Sequence, residues 1–317
     1  VDSDTLFSAW ISAYARLFGK EAVEGLLSQF FSSDFFPFRV SSTFIFQQYG
    51  EQTIEYIPRP FAFPKGYPVG NDLKFTKTYK KLNYLPLTVW RQWYQGEGIT
   101  AENCEELIAH TKGDDSASKQ LANAGTFAYS ESHYAHITPK VAIDRETRAT
   151  NFYQTGFVQF QEGAGLYFLI NFPLENVQLE TELKAALFFL GEEGLGGERS
   201  SGAGCFTVNW LNCPSYWQTL IEFKRNTHYS LLSLYWEKPL PPNLSIEQAS
   251  YQVKARGGWI CSPFSGRQLR RKMIRMFSEG SVFTIPPQGQ LADVTPTDFM
   301  IHKIYRSGVS MSLPIQL

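Results

Sequence analysis

Apolar residues recur at helical spacing from the start of the chain. Leu6, Trp10, Ala13, Tyr14 and Leu17 fall three or four residues apart, which predicts a helix over residues 3–18. Ser3 suits its N-cap, Asp4 favours the first turn and Gly19 can close the end. Val23, Leu26, Leu27 and Phe30 predict a second, shorter helix. Both are read as core-facing. From residue 31 to 63 the chain is aromatic and punctuated by proline, with one strand-like run at Thr43-Phe44-Ile45-Phe46. Residues 64 to about 130 read as irregular, with Leu85-Pro86-Leu87 and Glu97-Gly98 as breakers. Together these stretches make a large insertion over about 31–135. Its polar part, 112–124, contains Asp114, Asp115, Ser116 and Ser118 and has the composition of a mobile segment.

A strand pattern then runs from Ile137 into a polar turn, and residues 151–160 alternate back as a strand. The pair predicts a long hairpin over 137–160, with Lys140, Arg145 and Arg148 near its tip. Taken alone, a solvated hairpin is the plain reading of it. Gly163-Ala164-Gly165 predicts a turn, and residues 166–172 a buried strand. Leu179, Leu183, Ala186, Leu187 and Leu190 mark a helix that ends in a glycine-rich run, and residues 205–211 read as the next strand. Helix, insertion, strand, strand, helix, glycine loop, strand is a ferredoxin-like β-α-β-β-α-β unit without its first strand. That strand is expected upstream of Val1.

From residue 213 a second unit is expected. It has an apolar strand over 229–236 ended by Pro239, Pro241 and Pro242. An alternating run ends at Arg256, and a dense basic cluster follows at Arg267, Arg270, Arg271, Lys272 and Arg275. A turn at Glu279-Gly280 favours a hairpin there, and the chain closes on an apolar strand over 309–315. The fold class expected is therefore α+β. It comprises two ferredoxin-like (RRM-like) domains, 1–212 and 213–317, with a large irregular insertion and a β-hairpin that projects like a thumb.

The glycine run, 191–204, has six glycines in fourteen residues. Glycine permits positive φ and close backbone approach, and clustered backbone N–H groups make anion-binding concavities. Arg199 adds a planar donor fork, and Ser200 and Ser201 add hydroxyls. A flexible connector is the plain alternative. A nucleotide P-loop is excluded, because the Lys is missing and the order is helix, loop, strand. A loop that grips a nucleic-acid backbone is the third reading.

Composition narrows the choice. Hydrophobic content of 43% over 317 residues supports substantial cores, and aromatic content reaches 15%. No apolar run approaches the ~20 residues of a membrane span. The four cysteines, Cys104, Cys205, Cys213 and Cys261, form no C-x-x-C pair, which argues against zinc or a disulfide framework and suits a reducing cytoplasm. No metal or cofactor is expected. The formal net charge of −1 counts against a free-standing nucleic-acid binder. RNA binding would therefore need local basic residues. The aromatic excess would serve cores, base stacking or subunit interfaces.

The run Leu195-Gly196-Gly197-Glu198-Arg199-Ser200-Ser201-Gly202-Ala203-Gly204-Cys205-Phe206 resembles the glycine-rich loop of RAMP proteins, the RNA-binding subunits of CRISPR antiviral effector complexes. Ser3-Asp4-Thr5-Leu6-Phe7-Ser8-Ala9, Ile57-Pro58-Arg59-Pro60 and Ser278-Glu279-Gly280-Ser281-Val282-Phe283 extend the likeness over the whole chain in order. More narrowly, the set is similar to the fourth subunit of type III-A (Csm) effector complexes. Glu198 departs from the pattern, which implies a basic residue there, and its carboxylate is expected to point away from phosphate.

The resemblance implies a non-catalytic subunit. It would hold the 5′ repeat-derived tag of the guide crRNA, meet target RNA indirectly, and bridge the large polymerase-cyclase subunit to the repeated backbone RAMP subunit. The implied RNA contacts are Gly194, Gly196, Gly197, Arg199, Ser200, Ser201, Gly202 and Gly204 in the loop, and Lys140, Arg145 and Arg148 on the thumb. Arg256, Arg267 and Arg271 are added from the basic C-terminal half. The alternative is a metal-independent endoribonuclease that processes repeat RNA. Its candidate residues are His133, Tyr134 and His136 beside Lys140; His110, His228 and His302 stand alone in the sequence.

Overall fold

The computed structural model describes residues 1–32, 35–67, 73–110, 127–260 and 269–317. The N-terminal helical pattern becomes α1 (Ser3–Ser32), two helices meeting at Gly19, where φ is 85° and ψ 178°. A left-handed φ costs glycine little, so the predicted boundary is a kink rather than a chain break. Leu6, Phe7, Trp10, Ala13 and Tyr14 are buried in the first half and Leu26 and Phe30 in the second, whereas Leu17 is exposed. Ser3 does not cap the helix through its side chain. Its hydroxyl accepts the Leu234 N–H at 2.9 Å, tying the helix to the C-terminal half.

Two short strands and a hairpin follow: β1 (Arg39–Val40), β2 (Phe44–Tyr49) and β3 (Gln52–Pro58). The expected irregular insertion is instead largely helical. It folds as α2 (Leu73–Lys81), β4 (Tyr84–Pro86), α3 (Leu87–Gln95) and α4 (Ala101–His110). Leu85-Pro86-Leu87 starts α3 instead of breaking it. Proline just outside the first turn has the right φ and lacks only an N–H that would have no helical partner. Val89, Trp90, Trp93 and Tyr94 then bury one face of α3. With Phe75, Tyr79 and Leu107 they join a core that also takes Trp217, Leu232, Val282 and Ile315. The polar segment 112–124 lies outside the described residues.

Next come β5 (His133–Ile143), β6 (Thr150–Phe160), β7 (Ala164–Tyr167) and β8 (Ile170–Asn171). The first two form the predicted hairpin, beginning at His133 and running for eleven pairs. β7 joins an antiparallel sheet of order β4-β3-β2-β7. The expected strand over 166–172 is split. β8 pairs with β1, and between β7 and β8 the Leu169 N–H turns to the Ser41 hydroxyl at 2.9 Å.

α5 (Val177–Glu193) begins at Asn176, whose side chain accepts the Leu179 N–H. It packs along α1, where the Trp10 indole donates to the Leu183 carbonyl at 2.8 Å and the Tyr14 hydroxyl to Glu182 at 2.6 Å. The strand expected over 205–211 does not form. Phe206, Val208 and Trp210 do pack against the α1–α5 core, so the period of two is real. However, the segment has no ladder partner among the described residues, and alternation cannot supply one.

The remainder is α6 (Ser215–Ile221) and short strands: β9 (His228–Leu231), β10 (Val253–Arg256), β11 (Ile274–Phe277), β12 (Val282–Phe283), β13 (Leu291–Asp293), β14 (Tyr305–Ser307) and β15 (Ser312–Ile315). The sheet here is β12-β9-β15, and β10 pairs with β11. β9 is half the expected length, because the Tyr235 backbone crosses to Phe277 instead. The molecule is α+β, with six α-helices and several small sheets among the described residues.

Three of the sequence stretches quoted above meet at one buried junction. Asp4 is fully buried and receives Arg256 on both carboxylate oxygens, at 2.7 and 3.0 Å, and Arg306 on Oδ2. Gly280 has φ 81°, donates to the Leu231 carbonyl and accepts from the Phe61 N–H. A Cβ there would lie 2.6 Å from the Arg59 carbonyl oxygen. Glu279 bonds the Ser42 hydroxyl and receives Lys254 at 2.8 Å. Burial pushes the Asp2 carboxyl up, but Lys254 and then Arg256 outweigh it and hold it below the ordinary value.

Candidate nucleic-acid interface

The glycine run leaves α5 at Gly194 and returns at Gly204, and these two close its neck. The Leu195 N–H donates to the Gly204 carbonyl at 2.9 Å. A Cβ on Gly204 would sit 2.1 Å from the Leu195 carbonyl oxygen, and one on Gly194 2.7 Å from that of Ala203. Both have positive φ, so only glycine fits. Between them Arg199–Ser201 make a single 3-10 turn ending at Gly202. The amides of Ser201, Gly202 and Ala203 are spent on that turn. Gly196 and Gly197 stand in open space and make no hydrogen bond among the described residues. Arg199 and Ser200 are exposed, and Arg199 has no ion-pair partner among the described residues.

The thumb is fastened to this loop. The Lys140 ammonium lies 2.6 Å from a Glu198 carboxylate oxygen and 2.9 Å from the Ser201 hydroxyl. It also sits over the Phe157 ring, 5.2 Å from its centre. The hydrogen bond from Lys140, then that from Ser201, holds the Glu198 carboxyl below the ordinary value. Glu198 therefore does not merely point away from a ligand, as expected; it binds the thumb. Sequence reasoning missed this pair because its members are 58 residues apart, and no local period links them.

At the thumb tip, Asp144 accepts the N–H groups of Glu146 and Thr147 at 2.9 and 2.7 Å. Arg148 takes a left-handed φ of 57°, and both Arg145 and Arg148 are exposed. Strand alternation gives the hairpin two unlike faces. Odd positions of β5 and their partners expose Ile137, Val141, Phe152 and Val158. Even positions carry Tyr134, His136 and Lys140. His133 and His136 thus lie on opposite faces; His133 meets the Ser132 hydroxyl and His136 stacks on Phe157.

The C-terminal arginines are placed differently. Arg256 is held in the Asp4 junction and also reaches Asp2 at 2.8 Å. Arg267 lies outside the described residues. The Arg271 N–H donates to the Gly258 carbonyl, and the neighbouring Arg270 guanidinium sits over Trp259. Among the described residues no group of three or more His, Cys, Asp or Glu could hold a metal ion. No helix there is long and apolar enough to cross a membrane.

Comparison with known proteins bears on this geometry. The family model of the CRISPR Csm4 C-terminal domain matches residues 224–315. Csm4 of Methanocaldococcus jannaschii is 24% identical over 98% of this chain and 90% of its own length, and Csm4 of Thermococcus onnurineus is 26% identical over 99% and 91%. The crystal structure of a Csm3–Csm4 subcomplex of the type III-A CRISPR-Cas interference complex covers 99% of this chain and 93% of its own, with a TM-score of 0.61 at 20% identity. The chain is thus similar to Csm4 along nearly its whole length, and its C-terminal part matches the Csm4 domain model. A Csm1–Csm4 cassette solved with cA4 shares the fold as well, with a TM-score of 0.55 at 18% identity over 100% of this Csm4-like chain and 92% of that one.

Proposed function

We propose that this Csm4-like protein is a non-catalytic RNA-binding subunit of a type III-A CRISPR interference complex. In this reading it grips the 5′ repeat-derived tag of the guide crRNA and bridges the large polymerase-cyclase subunit to the repeated backbone subunit. It does so with two ferredoxin-like halves, 1–212 and 213–317. The observation that carries the reading is the joined loop and thumb. A glycine loop in which the amides of Gly196 and Gly197 and the Arg199 guanidinium have no partner among the described residues is fastened through Glu198 to a hairpin that ends in Arg145 and Arg148. Amides and an arginine fork suit phosphate, and the exposed apolar strip of the thumb suits the base stack beside it. Tyr134, His136 and Lys140 share a face of the hairpin, but Lys140 is held by Glu198 and Ser201 and His136 is stacked on Phe157, which favours binding over strand cleavage.

Arg199→Glu tests the reading. Affinity for guide RNA carrying the tag is expected to fall, and the dependence of log affinity on log salt to flatten by about 0.7, one phosphate contact on a single strand. Unchanged affinity and slope would remove the loop from the interface.

A further inference from the structure

The helical insertion carries a charge that the loop and thumb do not account for. From Leu73 to Gly96 there are five cations and no carboxylate, in a chain whose net charge is −1. α2 buries Phe75 and Tyr79. At 100° per residue, Lys80, Lys77 and Lys81 fall within an arc centred opposite that buried face. All three are exposed and have no ion-pair partner among the described residues. They rise along the helix by ~1.5 Å per residue, so three ammonium groups cover a short run of backbone phosphates.

An aromatic platform flanks this arc. Phe63, 44% exposed, stacks on Tyr67 with ring centres 4.1 Å apart and planes 22° apart. The Tyr67 hydroxyl bonds Thr76 of α2 at 3.1 Å, and Thr76 lies on the same flank of the helix as Lys80. The backbone between the two rings is braced. The Ile99 N–H donates to the Lys65 carbonyl at 2.8 Å. Gly66 and Gly98, both at positive φ, pack so tightly on Ile99 and Lys65 that a Cβ would collide. Lysines that track a backbone beside a fixed aromatic surface that accepts any base are how single strands are bound without sequence preference.

We infer that the Lys77–Lys80–Lys81 face of α2 and the Phe63–Tyr67 pair form a second RNA track, which binds single-stranded RNA without regard to sequence. The inference rests on the RNA-binding reading above but places the contact on the insertion, away from the glycine loop. The test uses the full chain in two arms.

In the first, the Lys77→Gln/Lys80→Gln/Lys81→Gln variant and Phe63→Ala are titrated with a labelled oligouridine of about 20 nucleotides, long enough for one such site. The lysine variant should flatten the log–log salt slope by about 2, which is 0.7 for each of three contacts. Phe63→Ala should lose about tenfold in affinity with its slope unchanged. In the second arm Arg199→Glu is titrated with tag-bearing guide RNA and with the same oligouridine. It should weaken tag binding, with the slope flattened by about 0.7, and keep oligouridine binding. Matching melting curves for all variants keep the comparison one of binding. Wild-type affinity and slope in the lysine variant overturn the track whatever Arg199→Glu does, and unaltered tag binding in Arg199→Glu overturns the loop instead. Loss of a co-purifying protein subunit with unaltered RNA affinity assigns the lysine face to a protein partner and also overturns the inference.

Discussion

Two regions of the molecule use the same chemistry at opposite ends of burial. At the junction, Asp4 is fully enclosed with Arg256 and Arg306, and Gly280 is pressed against Arg59. At the loop and thumb, Lys140 and Glu198 pair in partial exposure, and Gly196 and Gly197 face open space. Paired charges in a dry site are costly to separate, because whichever partner remains is left uncompensated. A pair in contact with water is easily exchanged for another partner. The junction therefore fixes how the N-terminal helix meets the C-terminal strands. The loop and thumb hold their shape while leaving their cations able to meet a ligand.

The largest expected effect breaks the junction. Asp4→Asn leaves the buried Arg306 without its carboxylate and the partly buried Arg256 with Asp2 alone, and should cost about 3 kcal/mol, read from urea unfolding of the whole chain. A loss as small as that of a surface substitution would show that water reaches Asp4 and that the two regions differ less than their burial suggests.

A glycine pair sharpens the contrast at lower cost. Gly280→Ala meets both a positive φ and the Arg59 carbonyl, and should destabilise by about 1–3 kcal/mol. Gly197→Ala places its methyl in open space and should stay within about 0.5 kcal/mol of wild type. Thermal melts of the two variants side by side check both.

The smallest effect is at the clip. Glu198→Gln should leave the unfolding midpoint unchanged while loosening the thumb, seen as a broadened distance between spin labels at the hairpin tip and on α5. Acid should act likewise. The folded-state pKa of Glu198 is depressed, so the clip is intact above the ordinary glutamate value of about 4.3 and opens as pH falls through the lower folded value. Asp2 is depressed too, so its contribution to stability is present above about 3.9 and fades as pH falls through its own folded value. An acid titration should therefore loosen the thumb in wild type but not in Glu198→Gln.

The chain's own pattern determined the local elements. Helical spacing marked α1 and α5, Gly19 marked the kink between the two halves of α1, and alternation marked the long hairpin and its basic tip. These are properties of neighbours in sequence, so they can be read one turn or one pleat at a time. The glycine count in 191–204 was equally legible, but not the division of labour within it: Gly194 and Gly204 are required because a Cβ on either would lie within 3 Å of a carbonyl oxygen across the loop neck. Only the tertiary structure decided the rest. Residues 64–110 look irregular because their aromatic faces pack between short helices and against α6, β12 and β15, contacts that no single period displays. Residues 205–211 alternate as a strand does and pair with nothing described, since a ladder needs a neighbour as well as a period. Arg256, basic and alternating in sequence, faces Asp4 from 252 residues away, and Lys140 meets Glu198 across 58. Charge in a sequence has a sign but no address, and only folding decides which cations are spent on the protein's own carboxylates and which remain for phosphate.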